Sequence, residues 1–273
     1  MILRRLLRGA ALALALIFCT FRYGFLRRRG PLSLEQRAQW LQSAARGVVR
    51  SLGIRTRIEG AAPVCGLVVS NHLSYLDIVI YAAVLPCFFI AKREVKQWPF
   101  FGHAAQAGGT IFLDRASLAS ANAAADEIAE RLTLPVPVLL FAEGTSTDGS
   151  QVLRFRSRLF LPAVQQAAPV TAAAIRYVPR DGAAERELCW YGDAAFLGHL
   201  WKVLGAAPST AHLCFGTPRI YTDSRSAARQ THAEVASMRS ECRSAPQNAG
   251  TRGIYGCILT SSATGASGPQ FRQ

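Results

Sequence analysis

Residues 70–80 read SNHLSYLDIVI. A histidine and an aspartate, His72 and Asp77, stand five positions apart at the mouth of an otherwise apolar run, with Asn71 and Ser74 beside them. Upstream, VCGLVVS (64–70) is short and apolar, the texture of a buried strand. Downstream, Ser74 is a good N-cap and YLDIVIYAAVL (75–85) reads as a buried helix. A strand–loop–helix unit of this kind puts His72 and Asp77 at the carboxyl end of a strand, where open α/β sheets bind their ligands. Histidine is the natural base near neutral pH, and a carboxylate on its Nδ1 fixes the tautomer. Two readings stay open from this segment alone: ordinary turn and cap residues, or a proton-handling pair.

The same texture recurs along the chain. Stretches 87–91, 109–113, 137–143, 169–177 and 212–216 are short apolar runs bounded by Gly, Pro or polar residues. Helical stretches lie between several of them, at 98–107, 117–132 and 158–167. Strands that are apolar on both sides and alternate with helices predict an α/β fold with a largely parallel central sheet covered by helices. Two more strand ends carry polar groups. GGTIFLDRAS (108–117) ends in Asp114-Arg115, and arginine suits bidentate grip on an anion. LLFAEGTST (139–147) ends in Glu143-Gly144-Thr145, a carboxylate directly after an apolar run, then a glycine that lets backbone approach a ligand. Surface pairing and turn formation account equally well for each in isolation. Together they place His/Asp, Arg and Glu-Gly-Thr on one side of a parallel sheet. There is no G-x-S-x-G elbow and no serine or cysteine set as a nucleophile, so the chemistry suggested is direct transfer, with a base activating a substrate hydroxyl.

The chain has 273 residues and a net charge of +14, placed unevenly. Residues 1–57 hold twelve arginines against Glu35, or +11, leaving +3 for the remainder. Between Arg8 and Arg22 runs GAALALALIFCTF, shorter than the roughly 20 apolar residues of an uncut spanning helix. No A-x-A site follows it, and the next features are Arg22 and Arg27-Arg28-Arg29, so a retained membrane anchor is expected, either spanning or lying in the interface. The run lacks interleaved aromatics and no nucleic-acid motif appears elsewhere, which argues against nucleic acid as a partner. Seven scattered cysteines without metal-ligand spacing argue against a metal site and fit a reduced compartment. The expected organisation is a membrane-binding helical segment over 1–57, with Ser33 as N-cap of its second helix, a body over 58–240, and a Ser/Ala/Gly-rich disordered tail over 241–273.

NHLSYLD (71–77) resembles the NH-x4-D signature of the glycerolipid acyltransferases, the lysophosphatidate acyltransferase superfamily. IFLDR (111–115), FAEGT (141–145) and PVTAAAIRY (169–177) look like its second, third and fourth blocks, in the family's order. The resemblance implies the family's α/β fold and acyl transfer at the inner-membrane surface. The donor would be acyl-CoA or acyl-carrier protein as co-substrate, with no cofactor, and the acceptor the free hydroxyl of a lysolipid. It implies His72 as general base with Asp77 as its partner. Arg115, Glu143, Gly144 and Thr145 would bind the acceptor, and Lys92 would face its head group. In two places the chain departs from the family: Ala142 stands where proline is usual, and Ser146 stands where lysophosphatidate enzymes commonly carry arginine. STDGSQVLRFRSRLF (146–160) and WYGDAAFLGHLW (190–201) resemble the lyso-ornithine lipid branch. The expected acceptor is 1-acylglycerol-3-phosphate, with Lys92, Arg115, Arg154 and Arg156 as cations, and lyso-ornithine lipid is the alternative. A non-catalytic lipid-binding protein and a hydrolase are the rival classes.

Overall fold

A computed structural model describes residues 1–98, 101–114, 118–244 and 253–254. Two helices come first, α1 (Ile2–Arg28) and α2 (Leu34–Ser51). The body then runs β1 (Ile54–Glu59), β2 (Ala61–Ala62), β3 (Leu67–Ser70), α3 (Tyr75–Val84), β4 (Phe88–Lys92), α4 (Phe101–Ala107), β5 (Ile111–Leu113), α5 (Leu118–Leu132) and β6 (Val138–Phe141). It continues with α6 (Leu161–Gln165), β7 (Val170–Pro179), α7 (Phe196–Gly205), β8 (Ser209–Phe215), α8 (Ser224–Ser244) and β9 (Gly253–Ile254).

The main sheet has the order β1-β8-β7-β3-β6-β4-β5. Neighbours from β7 to β5 are all parallel, whereas β8 runs antiparallel to β7 and carries β1 parallel to itself. The strands ending in Ser70, Lys92, Leu113 and Phe141 therefore deliver their carboxyl ends to one edge of the sheet. Period-two alternation divides the core. Val68, Leu139, Ala173 and Ile175 face α2, α3 and α7, while Leu67, Val69, Val138 and Leu140 face α5, α6 and α8. Burial on both faces is the reason these strands read as unbroken apolar runs.

Several elements differ from the sequence expectation. β1 crosses the 57/58 boundary, and α2 buries Ala38, Ala45 and Val49 in the core of the body, so α2 belongs to the folded unit. Its first turn is as expected: Ser33 and Gln36 form a capping box. α8 escaped the pattern reading because its inward stripe is Ala227, Ala228, Thr231, Val235 and Arg239, which carries little hydrophobic signal. That helix runs past residue 240, and residues 253–254 pair with Ala61–Ala62. Cys19, Cys87 and Cys189 are free thiols, while Cys65 and Cys214 are in disulfides, against the expectation of a wholly reduced chain.

α1 is one continuous 27-residue helix rather than a short apolar span. Arg5, Arg8, Leu12, Ala15, Cys19, Tyr23 and Leu26 are half-buried along one stripe, at the three- and four-residue spacing of a helix face. Arg8 donates to the Ala206 carbonyl at 2.8 Å, and the Trp40 indole donates to the Cys19 carbonyl at 3.2 Å. Leu3, Leu7, Leu14, Ile17, Phe18, Phe21 and Phe25 point outward and are exposed.

Candidate active site

The loop after β3 is fixed before its functional residues are placed. Asn71 donates through Nδ2 to the Ile175 carbonyl at 3.1 Å and accepts the Ile175 N–H at 2.9 Å, so its amide mimics one more rung between β3 and β7. His72 follows, and its ring stacks on Phe141 at the end of β6, centroids 4.1 Å apart. His72 Nδ1 lies 2.7 Å from Asp77 Oδ2, across the first turn of α3. The same oxygen accepts the backbone N–H of Leu73 at 2.6 Å and of Ser74 at 3.0 Å, so Asp77 serves at once as a helix-start residue and as the partner of the imidazole. Both open readings of the segment describe the same carboxylate.

Asp77 is wholly buried, and the His72 side chain keeps 17% of its exposure. With Nδ1 engaged by a carboxylate, the imidazole carries its proton there and presents Nε2 as the basic nitrogen. This arrangement can take a proton from a hydroxyl and return it to a leaving group.

The other candidates are placed as follows. Glu143 is 4% exposed, and its two oxygens accept the N–H groups of His72 and Leu153, each at 2.8 Å. Burial pushes its carboxyl above the usual range, and the two backbone donors work against that rise. Its contacts are therefore with the loop that bears His72 and with the loop that follows β6. Gly144 turns the chain with φ 74°, and its N–H is used by the Phe141 carbonyl. Thr147 donates its N–H to the His72 carbonyl at 2.9 Å, which leaves the amides of exposed Thr145 and of Ser146 between two committed ones. Lys92 is exposed at the end of β4, on the same sheet edge. Arg115 lies outside the described residues; its neighbour Asp114 pairs with Arg93 at 2.7 Å.

The sequence reading missed Tyr177. Its hydroxyl donates to Asp77 Oδ1 from inside β7. It also missed the aromatic group beside the site, where Tyr75 meets Trp190, Phe196 and His199, and Trp98 meets Trp190. A tyrosine near the carboxyl end of a predicted strand was the available signal for Tyr177. Nothing local could mark the aromatics as neighbours.

An acyltransferase family model matches residues 57–176, the span that contains this constellation. A lyso-ornithine lipid O-acyltransferase from Brucella abortus is 34% identical over 230 residues, covering 78% of this chain and 84% of that protein. A 1-acyl-sn-glycerol-3-phosphate acyltransferase from Neisseria meningitidis is 32% identical over 184 residues, 66% of this chain and 72% of that one. The crystal structure of the LPA acyltransferase PlsC from Thermotoga maritima has the same fold, with a TM-score of 0.68 over 90% of this chain and 98% of that one, at 20% identity. The chain belongs to the acyltransferase family. Within it, the chain falls in the lysophospholipid group.

Proposed function

We propose that this protein moves a fatty acyl group from a thioester donor, acyl-CoA or acyl-carrier protein, to the free hydroxyl of a lysolipid, with lyso-ornithine lipid as the acceptor. The observation that carries the reaction is the buried Asp77 carboxylate on Nδ1 of a reachable His72, at the carboxyl ends of parallel strands. His72 Nε2 takes the hydroxyl proton, and the oxygen attacks the thioester carbonyl. The tetrahedral intermediate collapses with cleavage of the C–S bond, and the imidazolium returns the proton to the departing thiolate. The amides of Thr145 and Ser146 are the candidates for stabilising the oxyanion. Glu143, Gly144 and Thr145 shape the wall beside His72, and Lys92 and Arg115 supply cations toward the head group.

Two features support the acceptor. Ser146, standing where arginine would grip a phosphate, donates its hydroxyl to the Trp190 carbonyl at 2.5 Å. The two stretches that resemble the lyso-ornithine branch thus touch, and the Brucella relative of that name covers most of the chain. The phosphate reading, acylation of 1-acylglycerol-3-phosphate, keeps its support in exposed Lys92 and in the Neisseria relative.

The site works at a lipid surface in this reading. α1 packs on α2 and α7 and keeps an outer apolar face, which supports a reading in which that face meets lipid in the interface plane. Exposed Leu197 and Trp201 of α7 extend that face, with the Arg5 guanidinium 5.2 Å from the Trp201 ring. The arginine-rich segment favours the anionic cytoplasmic leaflet of the inner membrane. Protease accessibility in sealed vesicles tests that orientation.

The test is acyl transfer by membranes holding the protein, with labelled acyl-CoA and acyl-carrier protein, and lyso-ornithine lipid and lysophosphatidate offered side by side. Labelled ornithine lipid is expected, and His72→Ala lowers the rate by about 10²–10⁴-fold with the fold intact. Labelled phosphatidate alone would reassign the acceptor, and full turnover without His72 would overturn the mechanism.

A further inference from the structure

The Asp77 carboxylate gathers four donors. His72 Nδ1, the Leu73 N–H and the Ser74 N–H all meet Oδ2 and belong to the same strand–loop–helix unit. The fourth, the Tyr177 hydroxyl, meets Oδ1 and arrives from β7, 100 residues along the chain. We propose that Tyr177 is a positioning residue for the acyl-transfer reaction, its hydroxyl holding the Asp77 carboxylate in the plane that meets His72 Nδ1. The proposal rests on the reading of His72 as the base.

A carboxylate torsion is broad, so three donors on one oxygen leave the group free to swing about that oxygen. A donor on the second oxygen removes the freedom, provided the donor itself cannot move. Tyr177 is 1% exposed. Its backbone N–H donates to Glu185 Oε1 at 2.9 Å, and Arg239 of α8 grips the two Glu185 oxygens at 2.8 and 3.1 Å. The same guanidinium donates to the Ile175 carbonyl at 2.9 Å and the Gly149 carbonyl at 2.7 Å. The Asn71–Ile175 exchange then ties this part of β7 to the loop that carries His72. Tyr177 thus reaches Asp77 from a frame independent of α3.

Burial, followed by the charge of Asp77, pushes the phenol well above its ordinary pKa, so it stays a donor throughout the working range. The other titratable groups near the pair are Tyr81 on α3, Cys189 after β7, Glu185 with Arg239, and Glu143 under the His72 backbone. Burial pushes Tyr81 and Cys189 upward, so both stay neutral, and Glu143 addresses the His72 amide rather than its ring.

A merely well-packed core tyrosine would leave the acid–base behaviour alone, and a positioning hydroxyl would not. Without it, Asp77 loses the donor on Oδ1 and becomes a stronger acceptor for the imidazolium that forms during transfer. In Tyr177→Phe, kcat should fall about tenfold or more, the size of one hydrogen bond to a charged group. KM for donor and acceptor should stay unchanged, and the acid limb of kcat should move to higher pH. A wild-type kcat and acid limb would overturn the proposal. In a His72→Ala background, Tyr177→Phe should cost nothing further; an additional loss there would mark a structural role and overturn it as well. If the phenylalanine variant does not fold, 3-fluorotyrosine placed at position 177 keeps the shape and strengthens the donor. The acid limb must then move to lower pH, and no movement overturns the proposal. Failure of the underlying mechanism looks different: His72→Ala would itself turn over, whatever position 177 carries.

Discussion

Glu143 Oε1 accepts the backbone N–H of His72 at 2.8 Å, while Oε2 accepts that of Leu153. A buried carboxylate at the end of β6 thereby bridges the loop after β3 and the loop that follows its own strand. Two directed donors offset part of its desolvation, which still holds the carboxyl above its usual range. The His72 ring is held at the same time by stacking on Phe141, two residues before Glu143. One strand end therefore sets both the backbone and the ring of the proposed base.

Glutamine at position 143 keeps the volume but replaces one acceptor with an NH2 group. That group would face the N–H of either His72 or Leu153, two donors with no acceptor between them. Glu143→Gln should therefore lower kcat/KM on the order of 10²-fold, the scale of a small misplacement of a reacting group. Steady-state kinetics beside a melting curve check this. Wild-type kinetics would show that His72 is placed without the bridge.

Charge on the outer face of α7 should weaken the lipid contact. Leu197 is 75% exposed and Trp201 48%. Leu197→Glu combined with Trp201→Glu should reduce co-sedimentation with anionic vesicles about tenfold or more, while turnover of detergent-dispersed substrate persists. Added salt should weaken wild-type binding, because the arginine segment contributes Coulomb attraction. Unchanged sedimentation of the double variant would place the lipid contact on α1 alone.

Stability should fall on mild acidification. Burial lowers the pKa of His199, whose Nδ1 meets the Tyr75 hydroxyl at 3.0 Å. Burial, followed by the charge of Arg57, lowers that of His212. A base whose folded pKa lies below its unfolded value stabilises the fold above the unfolded value, and that contribution is lost as pH falls through the folded one. The melting temperature should therefore be steady above about pH 6.5, the ordinary histidine value, and decline below it. A His199→Gln and His212→Gln double variant should flatten that slope; a slope identical to wild type would assign the acid sensitivity to other groups.

The approach of His72 to Asp77 was legible from spacing, because five residues across a strand–loop–helix junction leave little freedom. The strands from β3 to β8 were legible for a related reason: a sheet covered on both faces needs continuous apolar runs. β1 was hidden by its arginines, exposed Arg55 and half-buried Arg57, at an edge with one neighbour. α8 was hidden because a helix lying close against a sheet uses small residues.

By itself, then, the sequence determined the α/β alternation, the resemblance to the glycerolipid acyltransferases and the polar groups at three strand ends, all set by neighbours in the chain. The tertiary structure alone decided that Glu143 supports the His72 backbone, that α1 lies along the body, and that Tyr177 reaches Asp77. Those contacts join residues 71 and 100 positions apart, and α1 to helices beyond its own segment. They depend on strand order and register, and no local pattern encodes which buried hydroxyl or carboxylate a neighbouring strand will bring to a given loop.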